Sequence, residues 1–296
     1  METKLYSEAI RNHCPGLSLE SVEVFGSGQN SDIVLVNSQT IFRFPKYAEG
    51  IRQLKREAAF LNRIAGRVPI EVPRPIYSSF ASLEPGRAFI GYRKLSGKPL
   101  EAEVLMSDLD ERGWRQLAGQ LGGFLKALHE VETEEMNDGR SDDNLYSEWS
   151  ELYDRIRTKL YRYMNPEARL WTDRHFTGYL GEKKNFEIRL AAVHGDFGTS
   201  NILYDSDKRR ISGIIDFGSA GIGDPAVDCA ALLASYGEQF LHFAAAVYPE
   251  IDGMMDRITF YRGTFALQEA LFGLEHEDSE AFHSGLAGYR QDAGRS

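Results

Sequence analysis

The chain has 296 residues, enough for two domains or two lobes at roughly 100–200 residues each. Hydrophobic residues make up 42% and charged residues 26%, which excludes a disordered chain, and no run of about 18 apolar residues offers a membrane span. Lys and Arg number 34 against 44 Asp and Glu; the net charge of −10 disfavours nucleic acid or an anionic membrane as partner and leaves room for a cationic one, although solubility alone accounts for such an excess.

The N-terminal stretch METKLYSEAIRNHC is polar and amphipathic, with a short helix over 3–13 and no apolar signal core. Cys14 and Cys229 stand alone, without the Cys/His spacing of a zinc site or a disulfide framework. A cytoplasmic, monomeric protein is expected. Strands are predicted at 22–25, 33–36 and 40–44. The first two are joined across Gly26-Ser27-Gly28-Gln29-Asn30-Ser31, which reads as a glycine-rich hairpin turn. A helix over 49–64 carries Ile51, Leu54, Ala58, Leu61 and Ile64 on one face. Pro69, Pro73 and Pro75 then break the pattern, a strand follows at 87–93, and 95–100 reads as a connector. Beyond residue 100, helical patterns dominate, at about 111–131, 144–164, 225–247 and 256–274. Residues 187–217 are the exception, with short apolar runs between turns, the pattern of an inserted β-hairpin. The fold class expected is therefore α+β: a small antiparallel-sheet lobe over 1–93, a connector at 94–100 and a larger, mainly helical lobe over 101–296.

The strongest chemical signal is His194-Gly195-Asp196-Phe197-Gly198-Thr199-Ser200-Asn201, followed by Asp216-Phe217-Gly218. Transfer of a phosphoryl group needs a carboxylate to take the proton of the acceptor hydroxyl, oxygen ligands for Mg²⁺, and positive groups on the phosphates. Asp196 at the end of an apolar run suits the first task. Asn201 and Asp216 suit the second. The spacing H-x-D-x-x-x-x-N followed by D-F-G is that of the protein-kinase signature, with Gly195 in place of its Arg. Gly26-x-Gly28-x-x-Ser31 matches a phosphate-cradling loop except at its last glycine. Arg43, fourteen residues before Glu57, fits a strand cation paired with a helix carboxylate. Alternation sets Arg43 on the face of Ile41 and opposite Phe42 and Phe44, which favours it over Lys46 at the strand end. Gly91 to Lys98 mimics a Walker A loop but has one residue too many, and Pro99 stands where Ser or Thr should be. His129 closes the apolar stripe Leu117, Leu121, Leu125, Leu128 and reads as a packing or capping residue rather than a ligand.

These segments, VHGDFGTSNILYD and ISGIIDFGSAGIGDPAVD above all, resemble the aminoglycoside phosphotransferase (antibiotic kinase) family. FGSGQNSDIVLVNSQTIFRFPK, GYRKLSGKPL and KALHEV are similar in particular to its 2″-phosphotransferases. The resemblance implies a bilobal protein-kinase-like fold, Mg²⁺, GTP or ATP as donor, and a small cationic hydroxylated acceptor of aminoglycoside type. It implies Asp196 as catalytic base and Asn201 and Asp216 as metal ligands. The nucleotide would be held by Gly26, Ser27, Gly28, Asn30, Ser31, Arg43, Glu57, Tyr92, Arg93 and Leu95, with bulky Tyr92 beside the nucleobase favouring GTP. For the acceptor, Asp196, Glu238, Phe265, Gln268 and Glu269 are the candidates. Two departures stand out. Arg43 replaces the Lys usual in resistance enzymes, as in macrolide phosphotransferases. The acid cluster of the 2″-enzymes is replaced by apolar residues 230–234, which also admits a macrolide or a small amino-alcohol as acceptor.

Overall fold

The computed structural model describes residues 2–28, 30–133 and 142–290. Helix α1 (Glu2–His13) leads into β1 (Val22–Ser27), β2 (Ser31–Val36), β3 (Thr40–Pro45), α2 (Ala48–Ile64), β4 (Tyr77–Ser79) and β5 (Phe89–Arg93). The strands form one antiparallel sheet in the order β1-β2-β3-β5-β4. Period-two alternation sorts its residues between two apolar layers. Phe42 and Phe44 pack with Tyr6, Ile10 and Phe89. Ile41 packs on the other side with Ile90, Tyr92 and the α2 residues Leu54 and Ala58. Arg43 shares that second face, as its register requires. The expected stripe of α2 is buried, and Glu57 is buried with it.

The chain continues through β6 (Lys98–Pro99), α3 (Ala102–Asp108), α4 (Glu111–His129), α5 (Asp142–Lys159) and α6 (Pro166–Leu180). Then come β7 (Ala191–Val193), β8 (Ile202–Asp205), β9 (Arg210–Ile214), β10 (Gly221–Gly223), α7 (Ala226–Ala245), α8 (Met255–Glu275) and α9 (Ser279–Gly285). The expected hairpin is β8–β9, and β6 adds to its edge, so the connector is zipped onto the helical part. A second small pair, β7–β10, joins the segments just before Asp196 and just after Phe217–Ser219.

The four expected helices are present, with differences that have local causes. The pattern read as 144–164 ends as a helix at Lys159 and continues as a single turn, Tyr161–Tyr163. The 225–247 helix is broken at Gly237, whose φ of 83° only glycine adopts freely. Helix α6 escaped the periodicity because its apolar residues do not form a stripe. Its signal was at its start, where the Asn165 side chain accepts the Ala168 N–H at 2.7 Å and Pro166 fills the first helical position. The core centres on α4 and α7, with Leu117, Leu121, Leu125 and Leu128 of α4 at most 1% exposed. No helix among the described residues is long and apolar enough to cross a membrane.

Candidate active site

A cleft of about 710 Å³ runs between the sheet and the β8–β9 hairpin. Its apolar lining comes from Ile33 and Ile41 of the sheet, Leu203 of the hairpin and Ile215 just past it. Its polar lining includes Arg43, Gln53 and Glu57 from the N-terminal part and Asp196, Asn201 and Asp216 from the segments around the hairpin. Gly28, Asn30, Ser31, Tyr92 and Leu95 also line it. The sequence-chosen nucleotide residues therefore converge, with three exceptions. Gly26 and Arg93 lie outside the lining, Arg93 being exposed at the end of β5, and of Ser27 only the backbone is described.

His194 organises the loop that carries Asp196. Its ring is fully buried; Nδ1 accepts the Asp196 N–H at 3.2 Å, and Nε2 donates to the Ile215 carbonyl at 3.0 Å. One imidazole thus ties Asp196 to the residue before Asp216. Asn201 adds a second tie. Its Nδ2 donates to the Asp196 carbonyl at 2.8 Å and to Asp196 Oδ2 at 2.9 Å, which leaves the amide oxygen of Asn201 for another partner. The Asp196 carboxylate is exposed to the cleft. Gly195 has φ 79°, and a Cβ there would collide with the Ser219 carbonyl oxygen. That close approach explains why the Arg of the kinase signature is absent.

Beneath the loop lies Asp228, on the first turn of α7 and wholly buried. Its carboxylate accepts the N–H of His194 at 2.8 Å and of Gly195 at 2.9 Å. His129 Nε2 lies 3.1 Å from the same carboxylate, and Tyr248 Oη lies 3.1 Å from His129 Nδ1. Burial works to raise the Asp228 carboxyl, but the hydrogen bond with His129 and the backbone N–H of His194 outweigh it and hold it below its ordinary range. His129 is thus a packing residue, as expected, and more: it orients the carboxylate that carries the Asp196 loop.

On the opposite wall, Arg43 Nη1 donates to Glu57 at 2.5 Å and Nη2 stands 3.5 Å from Asp216. Burial opposes the Arg43 charge, yet Glu57, Tyr92 and Asp216 together raise it above the ordinary value. Burial pushes the Glu57 carboxyl up against the pull of Arg43. Burial also pushes Tyr92 up to about 12, so its phenol is neutral in the cleft wall. Lys46, the rival for this position, instead reaches the Gly28 carbonyl at 2.7 Å and Asp32 at 3.5 Å, bracing the glycine-rich turn. Asp216 has φ 60° and ψ 71°, a left-handed conformation that costs a non-glycine residue on the order of 1 kcal/mol.

Asn201 and Asp216 offer one amide and one carboxylate oxygen. Among the described residues, no cluster of three or more His, Cys, Asp or Glu is placed to hold a metal by itself. Two hard oxygens fit Mg²⁺, which binds through one or two such groups plus phosphates and water, and do not fit zinc.

The acceptor candidates are not gathered in this way. Glu238 and Glu269 are exposed, on α7 just past the Gly237 break and on α8. Phe265 packs against the helical core, and Gln268 donates to Thr264 Oγ1 at 2.8 Å. None of the four lines the cleft. Of the neighbouring acids, Glu275 is held by Arg155 and Lys159, and Asp278 caps α9 through the Ala281 N–H. Sequence reading missed Gln53, Asp228 and the apolar lining. Gln53 sits one helical turn before Glu57 on the same face, and that spacing was a usable signal.

Residues 21–261 match the model of the phosphotransferase enzyme family. The chain is 32% identical over 262 residues to a viomycin phosphotransferase of Streptomyces vinaceus, covering 87% of this chain and 89% of that one. Its structure is similar to the GDP and kanamycin complex of APH(2″)-IIIa, with a TM-score of 0.85, 28% identity, and coverage of 95% of this chain and 96% of that one. A macrolide 2′-phosphotransferase type I shares the fold, with a TM-score of 0.75 at 23% identity over 97% and 96% of the two chains.

Proposed function

The chain belongs to the phosphotransferase enzyme family, and on that premise we propose that it moves the γ-phosphoryl group of GTP to a hydroxyl of an aminoglycoside-type antibiotic. The observation that carries this reading is the convergence of Asp196, Asn201, Asp216 and the Arg43–Glu57 pair on one cleft that also has apolar lining. The neighbour holding GDP and kanamycin supports both donor and acceptor, and the bulk of Tyr92 supports guanine over adenine. The division into 1–93, 94–100 and 101–296 follows from the same reading, with the nucleotide between the two larger parts.

In this mechanism the base lies against the apolar lining, flanked by Ile33, Ile41, Leu203 and Ile215. Arg43, oriented by Glu57, binds the α- and β-phosphates; its planar fork replaces the point charge of a lysine. The turn around Gly28, closed by its N–H on the Ser31 carbonyl at 3.0 Å, would cover the phosphates. Asn201 and Asp216 would hold Mg²⁺, which when bound offsets phosphate charge. Asp196 Oδ accepts the proton as the acceptor oxygen bonds to the γ-phosphorus, and the bond to the β–γ bridging oxygen breaks to release the diphosphate. Asn201 keeps that carboxylate aimed, and Asp228 keeps its backbone in place. On the acceptor side, exposed Glu238 and Glu269 remain the residues for ammonium groups, whereas Phe265 and Gln268 serve the fold.

A second reading is favoured by the 32% identity to a viomycin phosphotransferase: viomycin itself, or an acceptor like it. Phosphorylation assays with GTP and with ATP, across kanamycin, viomycin and a macrolide, test both. The leading reading requires kanamycin to be turned over at a higher kcat/KM than viomycin, with GTP ahead of ATP. The reverse order for the acceptors favours the second reading, and turnover of the macrolide alone overturns both.

A further inference from the structure

Helix α2 turns two side chains toward the cleft, Gln53 and Glu57, one helical turn apart. Gln53 Nε2 donates to the Gly218 carbonyl oxygen at 2.7 Å, bridging positions 165 residues apart. Glu57 accepts a backbone hydrogen bond from Phe217. Two side chains of one helix therefore hold the peptide groups on either side of Phe217-Gly218, Glu57 through the Phe217 N–H and Gln53 through the Gly218 carbonyl. Asp216 itself is in the left-handed region, a conformation that persists only where surrounding structure imposes it. The knot is tight: a Cβ on Gly218 would stand 3.3 Å from Asp216 Oδ1 and 3.7 Å from Gln53 Nε2. Glu57 is already committed to Arg43 at 2.5 Å, so Gln53 is the side chain on α2 given over to this loop.

We propose that Gln53 is a positioning residue for the Asp216 carboxylate, so that the metal-dependent part of nucleotide binding, and not nucleotide binding as such, depends on it. The inference rests on Asp216 as a metal ligand. The physical argument is local. If the Gly218 carbonyl loses its donor, the 218–219 peptide is free to rotate. Asp216 can then relax out of the left-handed region and turn its carboxylate away from the cleft. Arg43, at 3.5 Å from Asp216, lies close enough to draw a released carboxylate onto itself. Neither change reaches Ile33, Ile41, Leu203 or Ile215, and the hydrogen bond from Arg43 Nη1 to Glu57 stays in place, because Asp216 faces the other nitrogen, Nη2.

The test is calorimetric nucleotide binding with and without Mg²⁺ for the full chain, for Gln53→Met and for Asp216→Asn. GDP is the probe. Gln53→Met removes the donor at constant length, and because Gln53 is only half-buried the fold should stand, which thermal melting checks. The expected result is metal-free GDP affinity within about twofold of wild type, with the enhancement by Mg²⁺ cut roughly tenfold, a loss of about 1.4 kcal/mol. An unchanged Mg²⁺ enhancement in Gln53→Met, while Asp216→Asn abolishes it, overturns the proposal and leaves the metal site standing. A lower melting temperature with the enhancement intact also overturns it, because that is a purely structural role. If wild type shows no enhancement, or Asp216→Asn keeps it, the metal-site reading falls and takes the proposal with it.

Discussion

Replacing Asp228 by Ala tests the support of the catalytic loop. The carboxylate is fully buried and accepts two backbone N–H groups, of His194 and Gly195, as well as His129 Nε2. Truncation leaves those three groups facing a dry void. Each unmet buried polar group costs about 1–3 kcal/mol, so with partial relaxation the loss should be about 3–5 kcal/mol. At roughly 2–3 °C per kcal/mol for a chain of this size, the melting temperature should fall by about 6–15 °C. The chemistry should suffer more. Asp196 hangs from these same peptide groups through the His194 ring, and a displacement of about 1 Å at a reacting group costs on the order of 100-fold in rate. Thermal melting gives the first quantity and kcat at saturating donor and acceptor gives the second. Asp228→Asn, which keeps one oxygen, should fall between. A melting temperature within about 2 °C of wild type, together with kcat within about threefold, would refute the reasoning.

Gly195→Ala should cost about 2–4 kcal/mol, because it adds a Cβ at φ 79° and against the Ser219 carbonyl. Gly198→Ala, three positions on, meets nothing within 4 Å and should be nearly neutral in the same melt. Arg43→Met leaves Glu57 buried without its partner and should destabilise by about 3 kcal/mol, with GDP affinity falling at least tenfold by calorimetry, whereas Arg43→Lys should restore most of both. Stability should also carry an acid limb from Asp228. Its folded carboxyl sits below the ordinary value of 3.8, so its contribution is complete above that value and disappears as pH falls through the lower folded one. Asp228→Asn should therefore flatten the loss of stability below about pH 4, measured as melting temperature against pH.

What was legible in the sequence is what lies in short, stereotyped segments. Asp196, Asn201 and Asp216 fall within 21 residues, on turns bounded by β7, β8 and β9, so linear spacing already encodes their meeting. Arg43 and Glu57 were legible because strand alternation and helix periodicity each fix a face, and the two faces oppose one another across the packing of Ile41 against Leu54. Asp228 and His129 were not, since their meeting bridges 99 positions and neither residue type signals a buried pair on its own. The acceptor side was least legible. An acid on a helix reads the same whether it grips a ligand, as proposed for Glu238, or an Arg and a Lys, as Glu275 does. The Gly237 break, immediately before Glu238, is hidden inside a continuous apolar pattern.

In the proposed reaction Asp196 takes the proton of an antibiotic hydroxyl while a guanosine triphosphate gives up its γ-phosphoryl group. The most direct measurement is product formation by mass spectrometry from kanamycin and GTP, with wild type and Asp196→Asn side by side and GDP affinity measured on both. The account predicts singly phosphorylated kanamycin from wild type, a rate lower by about 10²–10⁴-fold in Asp196→Asn, and GDP affinity within about threefold between them. Phosphorylated product from Asp196→Asn at the wild-type rate would contradict it.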